Sequence, residues 1–472
     1  TLMMAVAFLF NACGEDELPC QGSCPTGFIC EDDVCVQAED LCEDVVCLDG
    51  TVCQDGTCVE EELATTVVTG VITSNTIWTR DRIWEMASKV VVMEGTTLTI
   101  EAGTIVKARE GSGSLATALI VARGGKINAC GTADEPIIFT SVLDDIELGQ
   151  KVGSNLTAAN NELWGGILIL GHAPISAKDG DAETQIEGIP ADDTFGLYGG
   201  SNENDDSGTL CFVSIRHGGA LIGADNEING LTLGGVGRGT SISNIEVVAN
   251  LDDGVEFFGG TVDVDNVIVS YQGDDGIDID MNYSGTVDNF VVIHGGSDTD
   301  EALEIDGPEG TTYTDGLFTL KNGLCIALDT EKTSGADLKA KAQGTLENIS
   351  WQGYDALVKI RASFETPDGT VCTQKLDAYT SARDGALLIK NCEVEGNFSA
   401  EDVANVYIDS KADNANDQAN CLATASLEYE GVVDGSVAAN GNIVVEDGSM
   451  TADLSAFSGW SWASQKGLLD NL

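Results

Sequence analysis

Acidic side chains recur in step along the middle of this sequence. Asp252, Asp274 and Asp300 recur once per repeat, and Asp253, Asp275 and Glu301 follow directly after them. Glu256, Asp278 and Glu304 form a third set, with Asp280 and Asp306 beside it. Carboxylates gathered at one place can surround a hard divalent cation, and an all-oxygen set in a flexible, exposed setting favours Ca2+ over zinc or a transition metal. They can also act as acid and base at a glycosidic bond, once neighbours push their pKa values apart. The candidate ligands are Asp252, Asp253, Asp274, Asp275, Asp278, Asp300, Glu301 and Glu304. The candidate catalytic set is Asp253 and Asp275 with His294 and Arg361. The bland alternative is a solvated acidic face, because two acids before a glycine are ordinary turn chemistry.

The acids sit on or beside short strands. Leu231, Val255, Ile277 and Leu303 fall in one column of the repeat, and Leu233, Phe257, Ile279 and Ile305 fall in another. Thr232, Glu256, Asp278 and Glu304 lie between, so each strand alternates an apolar face with a polar one. Stacked strands lie about 4.8 Å apart, and like charges at that distance repel unless a cation or raised pKa values relieve them. An asparagine precedes an apolar residue at Asn244, Asn266, Asn289 and Asn348. An asparagine at one position per turn suits an internal ladder, its backbone taking a tight bend while its amide bonds to the next coil.

The repeat lacks the helical half of a leucine-rich repeat and is too short for a propeller blade. It predicts an all-β chain: a right-handed parallel β-helix over 63–472, of about 10 to 13 coils, without a convincing helix. Polar, Gly-, Ala- and Lys-bearing stretches at 144–162, 178–208, 308–316, 329–343 and 400–420 are expected to be loop insertions. Trp164 and Trp351 are expected to pack inward, and Trp460 and Trp462 to close the open end. Cys372 and Cys392 are a candidate disulfide.

Charge bounds the partners. The 472 residues hold 78 Asp and Glu against 22 Lys and Arg, a formal net charge of -56. Nucleic acid and anionic lipid need clustered cations, so both are excluded as electrostatic partners. Positions 1–60 carry many acids and no Lys or Arg. Residues 1–12 are apolar and end at Ala12-Cys13-Gly14, which resembles the end of a bacterial lipoprotein signal peptide with Cys13 lipidated. The sequence departs from that pattern in having Phe10 where Leu is usual and no positive n-region. Membrane attachment is then by the anchor only, since no later run approaches the apolar length of a span. Segment 13–62 holds Cys20, Cys24, Cys30, Cys35, Cys42, Cys47, Cys53 and Cys58 in two copies, the stretch from Cys24 to Cys30 recurring from Cys47 to Cys53. With no histidine and spacings longer than C-x2-C, these read as disulfides stapling a stalk rather than as a zinc site.

Several phrases carry a family resemblance. They are Gly95-Thr-Thr-Leu-Thr-Ile-Glu-Ala-Gly103, Gly131-Thr-Ala-Asp-Glu-Pro-Ile-Ile-Phe-Thr140, Trp164-Gly-Gly-Ile-Leu-Ile-Leu-Gly-His-Ala-Pro-Ile175 and Gly273-Asp-Asp-Gly-Ile-Asp-Ile-Asp280. Together they resemble right-handed β-helix surface lipoproteins and secreted proteins abundant in Bacteroidota and related phyla. The N-terminal segment resembles short Cys-rich stretches of myxobacterial secreted proteins. The resemblance implies an exported protein and no particular reaction. The order Asp252/Asp253, Asp274/Asp275, His294, Lys359/Arg361 is similar to that of polygalacturonase-like β-helices, with a different motif before the first pair and a long gap before Lys359. The leading expectation is a surface lipoprotein for adhesion, polysaccharide or envelope-protein contact, stabilised by Ca2+. The alternative is a secreted polysaccharide lyase or glycoside hydrolase using aspartates on adjacent coils.

Overall fold

Asparagines set one corner of successive coils in the main body. Asn244, Asn266, Asn289, Asn322, Asn348 and Asn391 all have positive φ, between 51° and 60°, a region asparagine tolerates better than other non-glycine residues. They occupy one register column, so Asn322 and Asn391 extend the set legible in the sequence. Asn289 Nδ2 donates to Asn266 Oδ1 at 2.7 Å, and Asn348 Nδ2 to Asn322 Oδ1 at 2.7 Å. The ladder is interrupted between Asn289 and Asn322. Asn322 Nδ2 turns to Asp288, while Asn289 Oδ1 accepts from the Asp453 amide.

The computed structural model describes residues 65–365 and 451–472 apart from 188, 190–193, 222–226, 296–298, 311–312, 329–333 and 355, together with 28–31, 34–37, 45, 47, 51–54, 57–60, 373–374, 377–395, 408–411 and 443–445. Two compact units divide between Leu63 and Ala64. In the first, Phe28–Glu31 pairs with Val34–Gln37 and Thr51–Gln54 with Thr57–Glu60, both antiparallel. Cys30 faces Cys35 and Cys53 faces Cys58, so the repeat in this unit is a repeat of hairpins. Cys47 bonds to Cys58, and Cys53 is also in a disulfide. Cys13, Cys20, Cys24, Cys42 and the side chains of Cys30 and Cys35 lie outside the described residues.

The second unit is a parallel β-helix. Long strands such as Ser241–Val248, Val264–Ser270 and Thr286–His294 bend at their asparagine and so serve two sheets. Short strands such as Leu231–Gly234, Val255–Phe258 and Ile277–Asp280 form the remaining sheet. Inward residues of all three sheets make one continuous core. Cys130 and Cys211, neighbours on adjacent coils, are disulfide-bonded.

On the short-strand sheet the outward residues form one column: Val71, Val91, Ile120, Leu168, Thr232, Glu256, Asp278, Glu304, Asp337 and Lys359. Along these rungs the chemistry passes from aliphatic through hydroxyl to acid and then to cation. The aliphatic part needs cover, and an insertion supplies it: Ile175, Ile186, Ile189 and Tyr198 pack on Val91, Ile120 and Leu168. The insertion is pinned to later coils by Gly260 N to Pro174 O at 2.8 Å and Ser176 N to Met281 O at 3.0 Å.

Four expectations are corrected. Trp460 and Trp462 are buried on a flank rather than over an end: Phe457, Trp460 and Ala463 cover Ile268, Val291 and Leu324, a run of outward aliphatics that water would otherwise meet. Segment 329–343 is not simply a loop, because Ser334–Leu338 is a buried rung of the short-strand sheet. Its small residues make room for a ring: a Cβ on Gly335 would lie 2.6 Å from Trp351. A helix does form, at Ala378–Asp384, capped by Asp377 and stopped by Gly385 at φ 80°. Cys392 is a buried free thiol, so it is not paired with Cys372, which lies outside the described residues.

Candidate functional site

The carboxylates are positioned by hydrogen bonds that run from coil to coil. Asp275 N donates to Asp253 Oδ1 at 2.9 Å, and Glu301 N donates to Asp275 Oδ1 at 2.6 Å. Each acid thus caps the turn that delivers the next. Glu256, Asp278 and Glu304 follow on the strands themselves. Three groups have oxygen atoms within 4.8 Å of one another: Asp252, Asp253 and Asp274; Asp253, Glu256 and Asp278; Asp275, Asp278 and Glu304. Asp253 and Asp278 each belong to two of them.

These residues are outward on the sheet yet mostly not exposed. Asp253, Glu256, Asp275 and Asp278 are buried, Asp252 and Glu304 are half-buried, and Asp274 is at the surface. The acids form a recessed strip, a groove in the sense of burial, not the open ridge that strand alternation alone implies. Burial and then the neighbouring carboxylates raise the pKa values of Asp253, Glu256, Asp275 and Asp278 well above the usual carboxylate range. Burial, Asp274 and Glu187 bring Asp252 to about 7. Asp278 Oδ1 has no hydrogen-bond partner. Asn229, one coil before Asp253 in the same column, is 1% exposed; its Nδ2 donates to Glu256 Oε2 and its Oδ1 is unpartnered.

Cations enter on the following coils. Lys359 Nζ lies 2.6 Å from Glu301 Oε1, and Lys339 contacts Glu304 and, at 3.7 Å, Asp306. Arg361 Nε donates to Asp337 at 2.9 Å. Burial raises Glu301, but hydrogen bonds from Lys359 and Ser334 prevail and hold it below its ordinary value. The groove therefore has an uncompensated half, around Asp253, Glu256 and Asp278, and a compensated half, around Glu301 and Asp337.

Residues 70–431 match the family described as the pectate-lyase-like β-helix domain. The chain belongs to that family. No curated protein and no solved structure matches it.

In this pectate-lyase-like β-helix, six of the eight acids singled out in the sequence enter the three groups: Asp252, Asp253, Asp274, Asp275, Asp278 and Glu304. Glu301 is taken up by Lys359 and Ser334, and Asp300 lies at the surface beside it, raised to about 6 by partial burial and by Glu301. Of the candidate catalytic set, Asp253 and Asp275 are adjacent in the groove, whereas His294 is fully buried. Its Nε2 faces the Glu301 carbonyl at 3.1 Å, its ring packs on Tyr354, and burial lowers its pKa to about 4. Burial thus keeps His294 away from the surface, and Arg361 is held by Asp337. Asn229 and Lys339 are additions to the sequence-derived sets, and Glu256, part of the third acid set but not among the candidate ligands, joins a cation group. Asn229 was detectable, since the step from Asn229 to Asp253 equals the step from Leu231 to Val255.

The donor set fits Ca2+. It is all oxygen, its three groups are built from carboxylates, and one of their buried oxygens, Asp278 Oδ1, has no partner. Asp253, Glu256 and Asp278 are the residues that would hold the ion. Among the described residues, no helix is long and apolar enough to cross a membrane.

Proposed function

We propose that this chain acts on an acidic polysaccharide through a Ca2+-assisted carboxylate groove, cleaving the chain at a uronate residue. The observation that carries the reading is a buried, unpartnered oxygen, Asp278 Oδ1, inside a cluster of raised-pKa carboxylates. When bound, Ca2+ would neutralise a sugar carboxylate and make the adjacent C–H more acidic. The chain's own residues supply the rest. Asp252 and Asp274 form the accessible rim, and Lys339, Lys359 and Arg361 place positive charge on the next coils, where further uronate carboxylates would lie. Lys339 bonds to Glu304, itself a member of one cation group, and so is the basic side chain that reaches into the acid cluster.

The second reading is a binding scaffold without cleavage. It is favoured by one observation: Lys339, Lys359 and Arg361 are all engaged by carboxylates. Export fits either reading, because the Cys47–Cys58 and Cys130–Cys211 disulfides suit an oxidising compartment. The lipid anchor at Cys13 and display at the cell surface belong to the same proposal.

The test is incubation of the full chain with polygalacturonate and alginate, with Ca2+ or EGTA, following both unsaturated-uronate absorbance and reducing ends. Ca2+-dependent cleavage abolished by Asp278→Asn supports the enzyme. Ca2+-dependent binding with no new ends supports the scaffold, and neither binding nor cleavage overturns both.

A further inference from the structure

The outward column of the short-strand sheet changes character at Thr232. On the rungs after it stand Glu256, Asp278 and Glu304, and on the rungs before it Leu168, Ile120 and Val91. Successive rungs are about 4.8 Å apart, so a polymer that meets the acids and then the cations in turn lies along the axis of the coils. Its path has two unlike ends. Lys339, Lys359 and Arg361 keep 22%, 24% and 33% of their side chains in water. Thr232 and Glu256, toward the other end, are 2% and 5% exposed.

The insertion closes that second end. Its hairpin, Glu183–Gln185 paired with Leu197–Gly199, delivers Tyr198. The Tyr198 ring meets Phe258 edge-on at 6.0 Å, and a Cβ on Gly234 would lie 3.0 Å from it. Gly234, Phe258 and Asp280 are consecutive in one register column, so the ring stands on the two rungs before Asp280. Tyr198 Oη donates to Met281 Sδ at 3.1 Å, and burial followed by Glu256 and Asp280 raises its pKa. Tyr198 thus marks the border where apolar cover meets the acids. The hairpin is fixed in place. Arg123 Nη1 donates to Gly199 O at 2.8 Å and pairs with Glu183 at 2.9 Å, while Gly199 N donates to Gly171 O at 3.0 Å. Ile175 fits so closely that a Cβ on Gly199 or Gly259 would lie 2.6 or 2.8 Å from it. Lifting this wall would return Val91, Ile120 and Leu168 to water, so it does not open for a passing chain.

We propose that the groove is blind at its Thr232 end and takes an acidic polysaccharide by a chain end, with Tyr198 as the residue that stops it. It rests on the groove reading for the chemistry of the polymer. Asp278 and Thr232 are two rungs apart. That distance, roughly 10 Å, holds a terminal piece of about one to three sugars. Only linkages near an end then reach the cation group.

The experiment incubates the full chain and Ca2+ with long polygalacturonate and alginate, following viscosity, unsaturated ends and fragment length together. Each elimination moves one proton from carbon to the leaving oxygen, breaks one C–O bond and leaves one unsaturated and one reducing end. Short end fragments are expected from the first turnovers, while the viscosity holds. Tyr198→Leu keeps an apolar cover but shortens the stop, and its first fragments should be longer by about one rung, or one sugar. Tyr198→Phe keeps the ring and the short fragments. Thermal unfolding of both variants checks the fold, and the wild-type fragments decide the point even if a variant fails to fold. Where no cleavage occurs, sized oligogalacturonates with Ca2+ are titrated calorimetrically, and a single protein is expected per chain at every length. Mid-length fragments with an early collapse of viscosity, or a stoichiometry that rises with chain length, overturn the blind end and leave the groove reading standing. Short fragments from a folded Tyr198→Leu overturn Tyr198 as the stop. Neither cleavage nor binding of either polymer overturns the groove reading and the blind end together.

Discussion

Asn229 turns its amide nitrogen onto Glu256 across one coil and leaves its own side-chain carbonyl oxygen buried without a partner. An unpaired buried acceptor beside buried carboxylates is costly. A cation among Asp253, Glu256 and Asp278, on the rungs beside Asn229, would bond the orphaned Asp278 Oδ1 and cancel the repulsion among the acids.

Replacing Asp278 should show this most clearly, since it belongs to two of the three groups. Asp278→Asn keeps the shape but removes one negative charge from both. Even partners behind a metal ligand typically govern about 10- to 100-fold in affinity, so a loss at the upper end of that range or beyond is expected. Terbium luminescence with Ca2+ competition measures it. Unchanged affinity would place the ion elsewhere.

Stability should also respond to pH in a direction set by these acids. Their folded pKa values are raised, to about 7 for Asp252 and about 8 for Asp306, so the folded state holds protons that the unfolded chain releases. Their contribution is therefore fully present below the unfolded value near 4 and is lost as pH climbs through 7 to 8. In EGTA the melting temperature should fall over that window. With excess Ca2+ the fall should flatten, and Ca2+ uptake should release protons. A melting temperature that rises from pH 5 to 8 in EGTA would contradict the raised pKa values.

Much of this was legible in the sequence. The offsets that align Leu231, Val255, Ile277 and Leu303 are the offsets of the structure's own register, so the coil and its acid columns follow from period alone. Burial of those acids does not. It depends on the turns and insertions that flank the sheet, whose placement leaves no periodic trace. Ser334–Leu338 escaped for a related reason: its strand carries Gly335 because Trp351 from the next coil occupies the space. The flank position of Trp460 is likewise set by Ile268, Val291 and Leu324, three residues far apart in sequence that meet only after coiling.

The asparagine corner gives a prediction that separates backbone from side chain. Asn289 holds φ at 60°, donates to Asn266 and exchanges bonds with Asp453. Asn289→Gly keeps the bend and loses the bonds, costing about 1 to 2 kcal/mol. Asn289→Ala loses the bonds and adds the left-handed strain of a Cβ, about 1 kcal/mol more. Denaturant unfolding of the two variants reads the difference. Equal stability would mean that the corner relaxes when its asparagine is removed.

Glu246 governs the C-terminal segment. Its fully buried carboxylate accepts from Ser214 Oγ at 2.5 Å, Trp462 N at 2.7 Å and Ala463 N at 2.9 Å, and Arg216, equally buried, lies 3.9 Å away. Glu246→Ala leaves a buried guanidinium without its anion and two backbone amides without an acceptor. Breaking one side of a buried pair costs about 3 to 5 kcal/mol. The segment should then loosen, with Trp460 and Trp462 emission shifting to the red and protease cleavage entering 451–472 before the coils unfold. Adding Arg216→Met to Glu246→Gln removes both charges together and should recover most of the loss. If the single and double variants are equally protected, the segment is held by its apolar contacts with Ile268, Val291 and Leu324 instead.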